Sequence, residues 1–89
     1  MNILIAYDVS DKQREMKNEL KAKKYSDAWN DAGKVCNLPN TTLWKQGTTV
    51  QQAKQDMIDA AKKLGIRLNR AVSVSFEDWD GIVGDPHTP

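Results

Sequence analysis

The chain has 89 residues, with 13 lysines and arginines against 12 acidic residues and a formal net charge of +1. This length fits one small domain, and the balanced charge gives no overall attraction to nucleic acid or to an anionic membrane. No apolar run approaches the roughly 20 residues of a membrane-spanning helix, so no membrane partner is expected. One cysteine and one histidine exclude an internal disulfide and a Cys/His zinc site, and a reduced cytoplasmic protein is the expectation.

Residues 2–9 predict a strand that is apolar on both faces. The larger and smaller apolar side chains alternate along it, with Ile3, Ile5 and Tyr7 on one face and Leu4 and Ala6 on the other. This pattern is typical of a central strand that is covered on both sides. The acidic member of the segment, Asp8, lies at its carboxyl end.

A charged helix is predicted next. Ser10 and Gln13 have the spacing of a capping box, and the helix is expected to run to about Lys24. Its clear apolar residues, Met16 and Leu20, lie four apart and share one face, whereas the rest of the surface is highly charged. We therefore expect this helix to cover one face of a sheet.

The helical period is absent from residues 25–44. Residues 25–29 and 39–45 have the β-branched and aromatic content of two strands, and the turn-forming residues between them predict a long connection in a hairpin. Trp29 and Trp44 lie on these adjacent strands, so we expect a cross-strand hydrophobic pair rather than a platform for stacking bases.

The second helix has the strongest period in the sequence. Thr49 and Gln52 repeat the capping-box spacing, and Gly65 predicts a left-handed end. Between them, apolar residues recur at spacings of three and four: Val50, Ala53, Met57, Ala60, Ala61 and Leu64. The strand that follows alternates up to residue 76, and we expect its apolar side chains to face inward: Val72, Val74 and Phe76.

The element order is strand, helix, strand, strand, helix, strand. It predicts an α+β, ferredoxin-like βαββαβ two-layer sandwich with a four-stranded antiparallel sheet and both helices on one face. We assign residues 1–76 to this domain and residues 77–89 to an acidic tail containing Pro and Gly. Because the other sheet face lacks helices, a second copy is expected to cover it as a homodimer. Trp79 in the tail is expected to dock on the partner subunit, as an extra short strand or a hook.

Asp8 is the sharpest candidate for a catalytic or metal-binding residue. Strand interiors disfavour aspartate, yet Asp8 ends the most apolar strand of the chain. Its carboxylate could hold Mg²⁺, above all if a dimer axis brings two copies together. The alternative is that Asp8 ends the strand and bonds the backbone of the following turn.

The basic residues are spread unevenly. All 13 lie within residues 1–76, whereas residues 77–89 hold four acids and no base. Two groups are candidates for binding the phosphates of RNA or DNA, one near the end of each helix: Lys21, Lys23 and Lys24, and Lys62, Lys63, Arg67 and Arg70. The alternative is that these cations complement the helix dipoles and solvate the surface.

At Ile5-Ala6-Tyr7-Asp8-Val9 the chain resembles the small CRISPR-associated spacer-acquisition proteins, whose first strand ends in Tyr-Asp-(Ile/Val), and more closely their SinR-like relatives. The likeness continues through residues 38–44 and 72–76. It implies a ferredoxin-like homodimer packed through its sheets. In several relatives the aspartate matching Asp8 is proposed to bind the metal for phosphodiester cleavage, as in an endoribonuclease, whereas in the acquisition complex the fold is a DNA-binding scaffold. The connection over residues 30–38 is longer than in that family and carries no arginine.

Three functions follow from the sequence and stay open. The favoured one is a homodimeric nucleic-acid-binding or scaffolding module of the SinR-like type, without catalysis. The second is an Mg²⁺-dependent nuclease that uses Asp8 at the dimer interface. The third is a protein–protein adaptor that works through its sheet edge and acidic tail.

Overall fold

The computed structural model describes residues 1–31 and 33–87. Two helices and five strands follow one another in this order: β1 (Asn2–Val9), α1 (Gln13–Ala22), β2 (Ala28–Asp31), β3 (Lys34–Asn37), β4 (Thr42–Gln46), α2 (Val50–Leu64) and β5 (Leu68–Phe76). The architecture is α+β with antiparallel strand pairing, as the sequence predicts. Among the described residues, neither helix has the length and apolar character needed to cross a bilayer.

The central position of the first strand is confirmed, because β1 lies between β4 and β5 in a three-stranded antiparallel sheet. Leu4 is opposite Trp44 on one side and opposite Val74 on the other. The larger residues of β1, Ile3 and Ile5, are completely buried. They lie in one core with the inner faces of both helices, whose other fully buried large residues are Met16, Leu20 and Met57.

The sheet is not the predicted four-stranded one. Strands β2 and β3 form a separate two-stranded hairpin, joined to the main sheet by an isolated bridge between Ser26 and Trp44. Beyond this bridge, the carbonyl oxygen of Ala28 accepts a hydrogen bond from the Trp44 indole Nε1 at 2.8 Å. That oxygen is thus bonded by side chains and not by the backbone of β4, and after this single bridge the second strand pairs with β3.

The connection expected after residue 29 therefore contains a strand. Trp29 is opposite Cys36, and Asn30 is opposite Val35. Gly33 lies near the turn with a φ of 84°, a left-handed conformation that glycine adopts without strain. Ala32 lies outside the described residues.

The predicted caps hold for one helix and fail for the other. At α2 the Thr49 hydroxyl accepts a hydrogen bond from the Gln52 N–H at 3.1 Å, and Gly65 ends the helix with a φ of 68°. At α1 the capping box is wrong: the residue before the helix is Lys12, and no side chain caps it. The Ser10 hydroxyl instead accepts the Arg67 N–H at 3.0 Å, so it bonds the chain entering β5. The helix ends at Ala22, earlier than expected.

The predicted orientation of the last strand is wrong. Val72 is opposite Ala6, and Val74 is opposite Leu4, so β5 turns these valines to the face without helices. The Ser73 hydroxyl donates to the Val50 carbonyl at 2.8 Å, which places the serine row toward α2. The register against β1 decides this, since a strand with two alternating faces can present either one to the helices.

The tail lies against its own chain. The Trp79 ring meets the Trp29 ring edge-on at 5.2 Å, and the Asn37 N–H donates to the Val83 carbonyl at 2.9 Å. Among the described residues no strand follows β5, so the extra C-terminal strand is not found there. Docking of the tail on a partner subunit stays a prediction.

Candidate functional site on the open face of the sheet

The face of the sheet that carries no helices, here called the open face, contains every second residue of β1. Asn2, Leu4, Ala6 and Asp8 point to it, and all four are partly exposed rather than buried. Their neighbours across the strands share the face: Trp44 and Thr42 on β4, and Arg70, Val72, Val74 and Phe76 on β5. The surface is mainly apolar, with charge at the Asp8 end.

Aromatic rings cover the half of the open face that lies toward Asn2. Trp29 reaches over from the β2–β3 hairpin, with its ring centroid 4.1 Å from that of Trp44 and 5.5 Å from that of Phe76. Trp79 of the tail meets the Trp29 ring edge-on. The predicted contact between Trp29 and Trp44 is present, although the two residues are not opposite one another in paired strands.

The other half of the open face is uncovered. Val72 is 52% exposed and Val74 is 43% exposed, which is high for valines in the middle of a nine-residue strand. Beside them a shallow hollow of about 270 Å³ is lined by Ala6, Asp8, Thr41, Arg70 and Val72, among others. An apolar floor with a charged rim is therefore open to solvent at this end of the sheet.

Asp8 lies on that rim, near the carboxyl end of β1. Its Oδ2 is 2.7 Å from the Nε of Arg70, the residue opposite it on β5. The register between β1 and β5 shifts just after this pair, between Asp8 and Val9. Among the described residues, no group of three or more His, Cys, Asp or Glu side chains is placed to hold a metal ion. One copy thus offers Mg²⁺ a single carboxylate, and Arg70 already binds one of its oxygens.

The basic group at the end of α2 lies at the same end of the molecule as Asp8. The ammonium of Lys12 donates to the Leu64 carbonyl at 3.3 Å, so the start of α1 is next to the end of α2. Lys63 is 3.2 Å from Glu19, and Arg70 is paired with Asp8. In the described part of the chain, no ion pair engages the two remaining cations of this group, Lys62 and Arg67.

The basic group at the end of α1 lies elsewhere. Lys21 contacts Asp27 at 3.4 Å, and Lys23 and Lys24 follow the end of the helix. Tyr25, directly after them, bonds Asp56 in the second turn of α2, so this end of α1 is beside the beginning of α2. Since the 10 residues of α1 span about 15 Å, the seven predicted basic residues form two separate groups.

The structure adds a cluster around Asp27 that the sequence does not signal. Lys17, Lys21 and His87 each place a nitrogen 3.4 Å from its Oδ2. Burial favours the neutral acid, but Lys21, His87 and Lys17 together outweigh burial and lower the pKa of Asp27 below its ordinary value. His87 is far from Asp27 in the chain, and no spacing rule could have paired them.

A larger groove, of about 670 Å³, lies between the tail and the open face. Its floor includes Leu4 and Thr42 of the sheet, and its walls include Cys36, Trp79 and His87. The free Cys36 is buried there. The groove exists only because the tail crosses over the sheet, so its shape depends on how firmly the tail is held.

No protein-family model, no curated protein and no solved structure matches this chain. The likeness of residues 5–9 to SinR-like proteins therefore stays a prediction.

Proposed function

We propose that this chain is a homodimeric, noncatalytic nucleic-acid-binding module whose two copies pack through the open faces of their sheets. The observation that carries the proposal is the exposure of Val72 and Val74 on the sheet face that no helix covers. Contiguous apolar surface beside polar groups is typical of an interaction site. The implied likeness to SinR-like proteins points to the same kind of dimer.

The charged rim of the open face suits a two-fold interface. In such an interface the same surface of each subunit forms both sides of the contact, so a charged group on one subunit needs an opposite charge on the other. Asp8 and Arg70 supply one charge of each sign within 2.7 Å. A second copy could therefore pair its Arg70 with Asp8 and its Asp8 with Arg70, and no unpaired charge would be buried.

Binding of nucleic acid is supported by the cations at the end of α2. Lys62 and Arg67 are exposed, and neither forms an ion pair within the described residues. They lie at the Asp8 end of the sheet, so a dimer formed there would bring two such groups to one side. Contacts between these cations and phosphates would release counterions and make the affinity fall with salt.

Fluorescence anisotropy with labelled RNA and DNA oligonucleotides, read over a range of salt concentrations, tests this proposal. The variant Lys62→Glu with Arg67→Glu should bind more weakly and reduce the salt slope by about two. The matched control, Lys34→Glu with Lys54→Glu, makes the same change of net charge at exposed positions outside both basic groups. Equal affinity for the two double variants would contradict the assigned surface. No binding by the wild type would favour a protein–protein adaptor.

Mg²⁺-dependent cleavage is the second candidate, because Asp8 lies on the face where we propose that two copies meet. Two carboxylates brought together by the dimer axis would be enough to hold the ion with waters and phosphate oxygens. The same titration repeated with Mg²⁺ and with Asp8→Asn distinguishes the candidates. Cleavage that requires both Mg²⁺ and Asp8 would replace the noncatalytic assignment.

A further inference from the structure

His87 is held between two acceptors at the far end of the tail. Its Nε2 lies 2.7 Å from the Leu38 carbonyl oxygen, and its Nδ1 lies 3.4 Å from Oδ2 of Asp27. The side chain is only 16% exposed. No other side chain of the tail, 77–87, lies within ion-pair distance of an opposite charge in the rest of the described chain, so His87 anchors this segment.

Both partners of His87, the Leu38 carbonyl and the Asp27 carboxylate, need a hydrogen-bond donor from the imidazole ring. A backbone carbonyl can only accept a hydrogen bond, and so can a carboxylate. A neutral imidazole has one N–H and can satisfy one of them, whereas the imidazolium has two and satisfies both. We infer that protonation of His87 latches the tail onto the groove, and that loss of this proton releases it.

The other charged groups around His87 do not abolish the dependence of tail docking on its protonation. Lys17 and Lys21 of α1 share Oδ2 of Asp27 with the imidazole, and their positive charges oppose its protonation. The Leu38 carbonyl keeps an N–H on Nε2, so the neutral ring turns an unprotonated Nδ1 toward the Asp27 carboxylate, where acceptor faces acceptor. Asp85, a further acid of the tail, lines the same groove.

Undocking of the tail would change the surface of the molecule on the open face of the sheet. The ring contact between Trp79 and Trp29 and the hydrogen bonds from Asn37 to Val83 also hold the tail, and none of them involves an ionisable side chain. Losing the tail would expose Trp29 and Leu4 and would open the groove of about 670 Å³. This inference concerns a single copy and does not depend on the proposed dimer or on nucleic-acid binding.

Amide hydrogen exchange read by NMR tests the latch at single residues. The Asn37 N–H donates to the Val83 carbonyl and is protected only while the tail is docked. The next amide, of Leu38, donates to the Asp27 carbonyl at 2.9 Å and belongs to the body of the domain, so it is an internal control. Protection factors, which correct for the intrinsic effect of pH on exchange, should be compared between about pH 5.5 and about pH 8.

We expect the protection factor of Asn37 to fall about tenfold over this range, as for the loss of one charge-assisted hydrogen bond, while that of Leu38 stays constant. The fall should share its midpoint with the His87 ring resonances of the same sample. In His87→Gln, whose amide can still donate to Leu38 but carries no charge, the protection of Asn37 should not change with pH. In Asp27→Asn the change should be smaller than in the wild type.

Three results would overturn the inference. The first is a protection factor of Asn37 that does not change with pH in the wild type. The second is an equal fall of that protection factor in His87→Gln. The third is a parallel fall in the protection factor of Leu38, which would mean that the whole segment opens. The wild-type comparison of Asn37 with Leu38 needs no substitution, so the test decides even if a variant does not fold.

Discussion

Arg70 places its Nε 2.7 Å from Oδ2 of Asp8, across the edge of the open face. The pair joins the sharpest candidate for catalysis to one of the candidates for phosphate binding. In a single copy it has little energetic importance, because the Arg70 side chain is 84% exposed and that of Asp8 is 49% exposed. Its importance is positional, since it sets the charge at the rim of the surface through which we propose that two copies meet.

Replacing Asp8 should therefore have a small effect on folding. We expect Asp8→Asn to change the free energy of unfolding of the monomer by less than about 1 kcal/mol, because exposed ion pairs are screened by water. Urea denaturation followed by circular dichroism measures this. A loss of several kcal/mol would mean that Asp8 has a structural role that its exposure does not reveal.

Loss of the hydroxyl group should destabilise the protein at Tyr25 but not at Tyr7. Tyr25 donates to the buried Asp56 at 2.9 Å, so Tyr25→Phe leaves a buried carboxylate oxygen unbonded and should cost about 1–3 kcal/mol. The Tyr7 hydroxyl is buried with no hydrogen-bond partner among the described residues. Tyr7→Phe removes a desolvated polar group and should be neutral or stabilising.

The same denaturation experiment compares the two variants directly. They make the same chemical change, in side chains that are each only 3% exposed. Equal losses of stability would show that the hydrogen bond to Asp56 does not distinguish these sites.

Alkaline pH should weaken the fold. Burial raises the pKa of Tyr7 to about 12, and burial together with the hydrogen bond to Asp56 and its charge raises the pKa of Tyr25 still further. Above about pH 10 the unfolded chain gives up phenolic protons that the folded chain keeps, so the free energy of unfolding falls as pH rises. This contribution is fully present below about pH 10.

Absorbance at the tyrosinate band, measured together with circular dichroism, tests this expectation. Both tyrosines are affected, so the folded protein should form almost no tyrosinate near pH 10, whereas the chain in urea should form it there. Tyrosinate that appears near pH 10 while the circular dichroism is still native would contradict the burial of the hydroxyl groups.

The elements that could be predicted from the sequence have local signals. The central strand follows from apolar residues on both of its faces, and the ends of α2 follow from Thr49 and Gly65, whose caps act within a few residues. The position of Asp8 on the face without helices also follows from simple alternation along β1.

The features that could not be predicted depend on residues far apart in the chain. Which face of β5 meets the helices is decided by its register with β1, and the Ser10 hydroxyl is engaged by Arg67 rather than by its own helix. The hairpin of β2 and β3 leaves the main sheet where the indole of Trp44 binds the Ala28 carbonyl. Such contacts have no sequence spacing by which they could be recognised.

In the candidate site, too, contacts between residues far apart in the chain could not be predicted from the sequence. Arg70 could be predicted as a cation of the α2 group but not as the partner of Asp8, because that pairing depends on the register between two strands. The contact of His87 with Asp27 arises only after the tail has crossed the sheet. Local patterns indicate which side chains can carry chemistry, and the fold decides which of them meet.

The mass of the protein in solution shows whether two copies associate through their open faces. Sedimentation equilibrium should give twice the 10.0 kDa mass of one chain for the wild type and a single-chain mass for Val72→Glu with Val74→Glu. A control is the single change Ile58→Glu, at a residue of α2 that is 40% exposed on the helical side, and this variant should remain a dimer. A wild type that sediments as one chain, with circular dichroism typical of a folded domain, would contradict the proposed dimer.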